Sequence, residues 1–187
     1  MSTTLAPFGL RPSYHPSGVA RPEKYAITAA SAAVIYKNGP VLITTDGYII
    51  RSVDNSGLCD GSFVGCEYLD STGKPIVSNY WPADTLATEA YAYVVTDTAT
   101  VVEIQCNGAL AQTDINSHIG ITSTGLGSTL TGQSAGYALL SSLSTSTEAQ
   151  LQIIGLAPYA DNAWGDTYTI VRVKLANSHF AAPLTAA

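Results

Sequence analysis

One stretch of the chain carries the spacing of a hydrolase nucleophile. Residues 132–136 read Gly-Gln-Ser-Ala-Gly, which matches the G-x-S-x-G pattern that exposes a serine on a sharp turn between a strand and a helix. Asp161 or Asp166 and then His179 follow in the order Ser, Asp, His. However, residues 122–128 before the serine have the composition of a loop, and no alternating strand and helix pattern surrounds them. A serine hydrolase at Ser134 is therefore kept only as an alternative.

The same region comes close to a phosphate-binding loop. Residues 127–134 nearly match G-x-x-x-x-G-K-S, but Gln133 occupies the place of the lysine that neutralises phosphate charge. Carboxylates are sparse and form no paired arrangement for acid and base catalysis. Three histidines lie far apart, each beside a serine or a proline: His15, His118 and His179. The sequence therefore predicts that the protein is not an enzyme and holds no cofactor and no metal.

The cysteines indicate a reduced protein. Their number, three, is odd, which excludes a complete disulfide framework. The spacing of Cys59 and Cys66 is not that of a zinc knuckle, and no nearby histidine completes a ligand set. We expect Cys59, Cys66 and Cys106 to be buried thiols, which fits assembly in a reducing cytoplasm.

Charge is scarce and unevenly distributed. Charged residues make up 12% of the 187 residues, about half the usual share. Residues 1–24 carry a net charge of +2, whereas residues 25–187 carry −8. An acidic body is a poor match for a phosphate backbone, so no nucleic acid partner is expected. No run approaches the roughly 18 apolar residues of a membrane span, and residues 1–10 have no features of a secretion signal, so neither membrane nor export is expected.

Residues 1–24, called here the N-terminal segment, are predicted to form an extended arm. Four prolines at this density prevent a helix, yet apolar and aromatic side chains recur along the segment, which a solvated tail rarely keeps. Fully extended, it would reach about 80 Å and could cross to another subunit. A plain solvated tail is the alternative. The candidate partner-binding residues are Phe8, Leu10, Arg11, Tyr14, Arg21 and Lys24.

Residues 25–187 are predicted to form an all-β body, a jelly-roll-like sandwich or barrel of about nine short strands. Turn signals recur about every 8 to 12 residues, and no convincing amphipathic helix is present. A single helical turn is possible at 114–118, and 123–136 is typical of a long loop. In the clearest pair of strands, 91–96 and 101–106, apolar residues alternate with others, which places Glu103 and Gln105 outward. The remaining predicted strands are 33–37, 41–45, 48–52, 63–69, 75–80, 150–156 and 168–175.

Two aromatic segments, 80–82 with Trp81 and 162–166 with Trp164, could form a platform for sugar rings. Core or interface packing is the more common use of tryptophan and tyrosine, and it is favoured here.

Several stretches resemble capsid cement (decoration) proteins of tailed bacteriophages. They are residues 6–12 and 14–18, residues 64–68 and 78–82, and residues 162–166 with 177–179. The resemblance spans nearly the whole chain but its motifs are loose and encode no chemistry. It implies a jelly-roll-like body, a homotrimer on the outer surface of the virion capsid, and an N-terminal extension that embraces sister copies or the major capsid protein.

The expected function is that of a structural virion protein, made in the host cytoplasm, that clamps neighbouring capsomers. Deletion of residues 1–24 is expected to leave a folded body that no longer enters capsids. The alternative within the same class is a tail or fibre protein that binds host glycans through Trp81 or Trp164.

Overall fold

The computed structural model describes residues 2–28, 33–52, 54, 57–124, 126–144 and 149–181. Gly125 of the predicted 123–136 loop lies outside these ranges. Within them the chain forms twelve β-strands and one short 3-10 turn at Gln112–Asp114. The prediction of an all-β fold is therefore confirmed, with twelve strands rather than nine. No helix in the described part of the chain is long and apolar enough to cross a bilayer.

In chain order the strands are β1 (Arg11–Tyr14), β2 (Glu23–Ile27), β3 (Pro40–Ile43), β4 (Tyr48–Arg51), β5 (Gly61–Leu69), β6 (Pro75–Ser78), β7 (Thr88–Val95), β8 (Val101–Gln105), β9 (His118–Thr122), β10 (Tyr137–Ser144), β11 (Leu151–Leu156) and β12 (Ile170–Leu175). They divide into two six-stranded sheets. The first sheet has the order β1-β8-β12-β11-β9-β10 and the second has the order β3-β4-β2-β7-β5-β6.

Both sheets curl towards closure. In the second sheet β3 also pairs with β5, so β3, β4, β2, β7 and β5 form a closed ring, and β6 is attached to β5. In the first sheet an isolated bridge between Cys106 and Ala138 joins the end of β8 to β10. Closure of this kind satisfies the backbone groups that an open sheet edge would leave unpaired.

Each sheet encloses its own hydrophobic cluster. The cluster of the first sheet consists of Leu10, Cys59, Val102, Ile104, Cys106, Leu110, Ile119, Ile121, Ala138, Leu151, Ile153, Val171, Val173 and Leu175. The cluster of the second sheet consists of Ile27, Ile35, Val41, Ile49, Phe63, Cys66, Trp81, Ala87, Ala90, Ala92 and Val94. The first cluster includes Leu10 and Cys59, which precede β8 in the chain. Residues from the first half of the chain therefore pack into the core formed mainly by β8–β12.

The chain passes between the sheets twice. β1 belongs to the first sheet, β2 to β7 belong to the second, and β8 to β12 return to the first. The two strands predicted as a pair, β7 and β8, therefore lie in different sheets, and residues 96–100 connect them. The predicted boundary between an arm and a body, at residues 24 and 25, falls inside β2.

The predictions of strands, of the helical turn and of the exposed face of β8 each differ in part from the structure. β1, β2, β9 and β10 were not predicted, and residues 33–37 form only isolated bridges, between Ile35 and Trp81 and between Lys37 and Gln133. The helical turn lies at Gln112–Asp114 instead of residues 114–118. Finally, Glu103 and Gln105 do not face solvent: every residue of β8 is buried, because both faces of the strand are covered.

Candidate partner-binding surface

The outer face of β8 is covered by the N-terminal segment, and Glu103 is the centre of that contact. Arg11 Nη2 donates to Glu103 Oε2 at 2.7 Å, and Ser13 Oγ donates to Oε1 at 2.8 Å. Tyr159 Oη donates to the same carboxylate and accepts a hydrogen bond from Arg11. Burial alone would raise the pKa of Glu103, but the hydrogen bonds from Tyr159, Arg11 and Ser13 outweigh it and hold the pKa below its usual value.

Gln105, two residues further along β8, holds the start of the segment. Its Oε1 accepts from the Ala6 amide at 2.8 Å, and its Nε2 donates to the Thr4 carbonyl at 3.0 Å. The Ser2 amide donates to Asp166 Oδ2 at 2.9 Å, and this bond is the first of those that lower the pKa of Asp166. The side chains of Gln105 and Asp166 therefore hold the backbone at the start of the segment.

Leu10 anchors the middle of the segment in the first hydrophobic cluster, where none of its surface is exposed. Its amide donates to the Asn38 carbonyl at 2.7 Å, and its carbonyl accepts from Ser62 Oγ at 2.5 Å. Asn38 and Ser62 both adjoin or belong to the second sheet, so Leu10 lies at the junction of the two halves. Burial of a leucine side chain contributes about 1.5–3 kcal/mol.

The six predicted partner-binding residues fall into two groups. Four already make contacts within this chain. Leu10 is buried, Arg11 binds Glu103 and Tyr159, and the Phe8 ring lies 4.3 Å from the Arg11 guanidinium. Lys24 forms an ion pair with Glu67 at 2.6 Å and lies above the ring of Tyr91. The other two, Tyr14 and Arg21, are exposed. The pairing with Glu67 raises the pKa of Lys24.

Residues 15–22, called here the exposed connection, join β1 to β2; Tyr14 precedes them and Arg21 lies near their end. Tyr14 is 58% exposed and Val19 is 57% exposed. Arg21 makes no hydrogen bond or ion pair with any residue in the described ranges. His15 Nε2 contacts Asp97 Oδ2 at 2.8 Å and ties the connection to the turn between β7 and β8. A fixed loop thus presents an aromatic, an aliphatic and a basic side chain, here named the connection surface: Tyr14, Val19 and Arg21.

The structure does not assemble the hydrolase pattern. Ser134 is buried, and its Oγ accepts from the Gly136 amide at 3.0 Å. His179 Nδ1 contacts Asp60 Oδ2 at 2.8 Å, and Asp166 is occupied by backbone amides, so these groups make no hydrogen-bonded relay to Ser134. Residues after Ser134 lead into β10, where the nucleophile turn would need a helix.

The cysteines and tryptophans singled out in the sequence are buried or half-buried. No group of three metal-ligating side chains occurs in the parts of the chain that the structure describes. The three cysteines are free and buried, as predicted, and burial raises the pKa of Cys59 and Cys66 to about 12 and that of Cys106 to about 11. Trp81 is fully buried in the second cluster, with an edge contact to Tyr68, and it has no face for a sugar; Trp164 is half-buried against the first cluster.

Sequence reasoning missed the groups that hold the segment, chiefly Glu103, Gln105 and Asp166. The one available signal was the pair of polar residues in an apolar strand, which the rule of alternation assigns to solvent. Comparisons with models of protein families, with curated proteins and with solved structures found no match to this chain.

Proposed function

We propose that this chain is a capsid cement protein of a tailed bacteriophage, which binds the outside of the capsid and clamps neighbouring capsomers. The observation that carries the proposal is the connection surface, which is exposed while β1 and β2 hold its two ends on different sheets. A loop that is already ordered loses little conformational entropy on binding. The resemblance of the sequence to cement proteins supplies the partner, the major capsid protein.

The mechanism is mechanical. A filled capsid is under outward pressure, and a protein bound across two capsomers adds an interface that must break before they separate. A standard interface of about 1,600 Å² can be strong. In a homotrimer, which the resemblance implies, three connection surfaces act together, so the avidity exceeds the affinity of any single contact. A protein with this function would be located on the outer surface of the virion capsid.

Surface substitutions test this proposal more cleanly than removal of the segment. Deletion of residues 1–24 would take Leu10 from the first cluster, β1 from the first sheet and the start of β2 from the second. The deleted chain should therefore lose stability as well as any capsid contact, and the expectation that it leaves an intact body is revised.

The decisive experiment combines Tyr14→Ser, Val19→Ser and Arg21→Ser. Heads of the parent phage assembled without this protein are mixed with the wild type, the triple variant or the control, and bound protein is measured by co-sedimentation. We expect at least a tenfold loss of affinity, or about 1.4 kcal/mol, with an unchanged circular dichroism spectrum. The control is Leu130→Ser, an apolar residue that is 94% exposed far along the chain. Wild-type binding by the triple variant would refute the role of the connection surface, and no binding by the wild type would refute the proposed function.

A further inference from the structure

A cleft of about 510 Å³ lies where the N-terminal segment, the turn at residues 36–39 and the loop before β10 meet. Its lining combines apolar residues, among them Pro12 and Pro22, with the polar or basic residues Arg11, Lys37, Asn38 and Gln133. The cleft is open to solvent and lies next to the exposed connection, of which Pro22 is the last residue.

The cleft is basic within an acidic protein. Among the residues that the structure describes, no Asp or Glu lines it, whereas residues 25–187 as a whole carry a net charge of −8. The Lys37 side chain makes no hydrogen bond or ion pair with any described residue. Its backbone is fixed, because its amide donates to the Gly132 carbonyl and its carbonyl accepts from the Ser134 amide, each at 2.9 Å. Lys37 therefore presents a positive charge without an ion-pair partner among the described residues, on a backbone held by two hydrogen bonds.

Arg11 adds donors to the same cleft. Both of its hydrogen bonds, to Glu103 and to Tyr159, use Nη2, so Nε and Nη1 have no partner within the described ranges. Its side chain is 42% exposed although Glu103 is almost fully covered. Gln133 contributes an amide, of which only the oxygen makes a contact, a long one of 3.5 Å from Asn38. Lysine, arginine and amide donors in one place are suited to carboxylates.

We propose that this cleft binds an extended, acidic peptide segment, with side-chain carboxylates on Lys37 and Arg11 and apolar side chains against Pro12 and Pro22. The cleft is open to solvent and so accessible to an extended chain, and its proline side chains suit a chain whose apolar residues alternate with acidic ones. Charge complementarity selects an acidic partner, since a basic peptide would meet Lys37 without a counter-charge. The inference depends on the proposed function only in one respect, the identity of the protein that supplies the acidic peptide.

The test uses the full chain and two synthetic peptides that are blocked at both ends: Glu-Val-Glu-Pro-Glu-Val and its counterpart with Gln for Glu. Binding is followed by ¹⁵N–¹H correlation spectra. The acidic peptide should shift the Gln133 side-chain amide and the backbone amides of Lys37 and Asn38, with an affinity that falls as NaCl is raised. The Gln peptide should bind at least tenfold more weakly.

Lys37→Gln should weaken binding of the acidic peptide at least tenfold. Lys74→Gln, which changes an exposed lysine in the turn before β6, should leave binding unchanged. Equal binding of both peptides, shifts scattered outside the cleft, or full affinity in Lys37→Gln would each overturn the proposal. The proposed function fails separately: if the connection surface governs attachment to heads while the acidic peptide does not bind, the cleft inference falls and the cement function stands.

Discussion

Gly9 gives the sharpest test of how the N-terminal segment is held. Its φ is +75°, its amide donates to the Gly136 carbonyl at 3.0 Å, and the next amide reaches the Asn38 carbonyl. A Cβ at this position would lie 2.2 Å from the Asn38 oxygen and 2.9 Å from its carbonyl carbon. Because backbone atoms cannot yield as a flexible side chain can, Gly9→Ala should lift the segment off residue 38.

Gly18 provides a matched control within the same segment. Its φ is +85°, but a Cβ there would meet nothing within 4 Å. Gly18→Ala should therefore cost only the left-handed backbone strain, about 1–2 kcal/mol. Gly9→Ala has the same strain and also displaces Leu10, whose burial is worth about 1.5–3 kcal/mol. The expected loss is about 2.5–5 kcal/mol for Gly9→Ala, which exceeds that of the control by the burial of Leu10, about 1.5–3 kcal/mol.

The free energy of unfolding of both variants is measured by urea denaturation, followed by circular dichroism. Hydrogen exchange is read at the Leu10 and Ala6 amides, which the docked segment protects. Gly9→Ala should accelerate exchange at both amides, and Gly18→Ala should not. Equal destabilisation by the two substitutions, or rapid exchange of the Leu10 amide in the wild type, would show that the contact with Asn38 does not hold the segment.

Three further predictions concern charge and thiols. Arg11→Ala should destabilise the protein by about 1–3 kcal/mol, because it strips a charged partner from the covered Glu103 carboxylate, whereas Arg21→Ala should stay within about 0.5 kcal/mol in the same denaturation assay. The pKa of Glu103 is lowered on folding, so its contribution to the free energy of unfolding is present above the unfolded-state pKa near 4.5 and is lost as the pH falls through the lower, folded-state pKa. The free energy of unfolding should therefore fall less steeply with decreasing pH in Glu103→Gln than in the wild type, and an equal slope would contradict this. Ellman's reagent at pH 8 should label no thiol in the native protein and three in guanidinium chloride, and rapid native labelling would contradict the burial of Cys59, Cys66 and Cys106.

The sequence predicted the strands whose signals are local. β7 alternates Ala90, Ala92 and Val94 with tyrosines, and this period of two is read directly from neighbouring residues. β1 has no such signal, because Pro12 lies within it and its pairing partner is about 90 residues away, with Arg11 opposite Glu103. Proline is tolerated there because β1 is at the edge of the sheet.

The error at β8 has a different physical origin. Alternation predicts which face of a strand is buried only when the other face meets solvent, and in β8 the N-terminal segment covers that other face. Glu103 and Gln105 are polar for that reason: they meet backbone amides, a guanidinium and hydroxyl groups instead of apolar side chains. The composition of the chain indicated an N-terminal segment with anchors, but which anchors were buried depended on this long-range contact.

The position of the exposed connection has a mechanical consequence if it contacts the capsid. Residues 15–22 continue into β1 on one side and β2 on the other, so a pull on the loop loads β1 against β8 in the first sheet and β2 against β7 in the second. Because β1 and β2 pair antiparallel with strands of different sheets, the force is shared by the two sheets. A free arm joined at a single point would transmit the same force through one backbone segment. Anchoring at both ends therefore favours the docked loop over a detached arm as the part of the molecule that bears load.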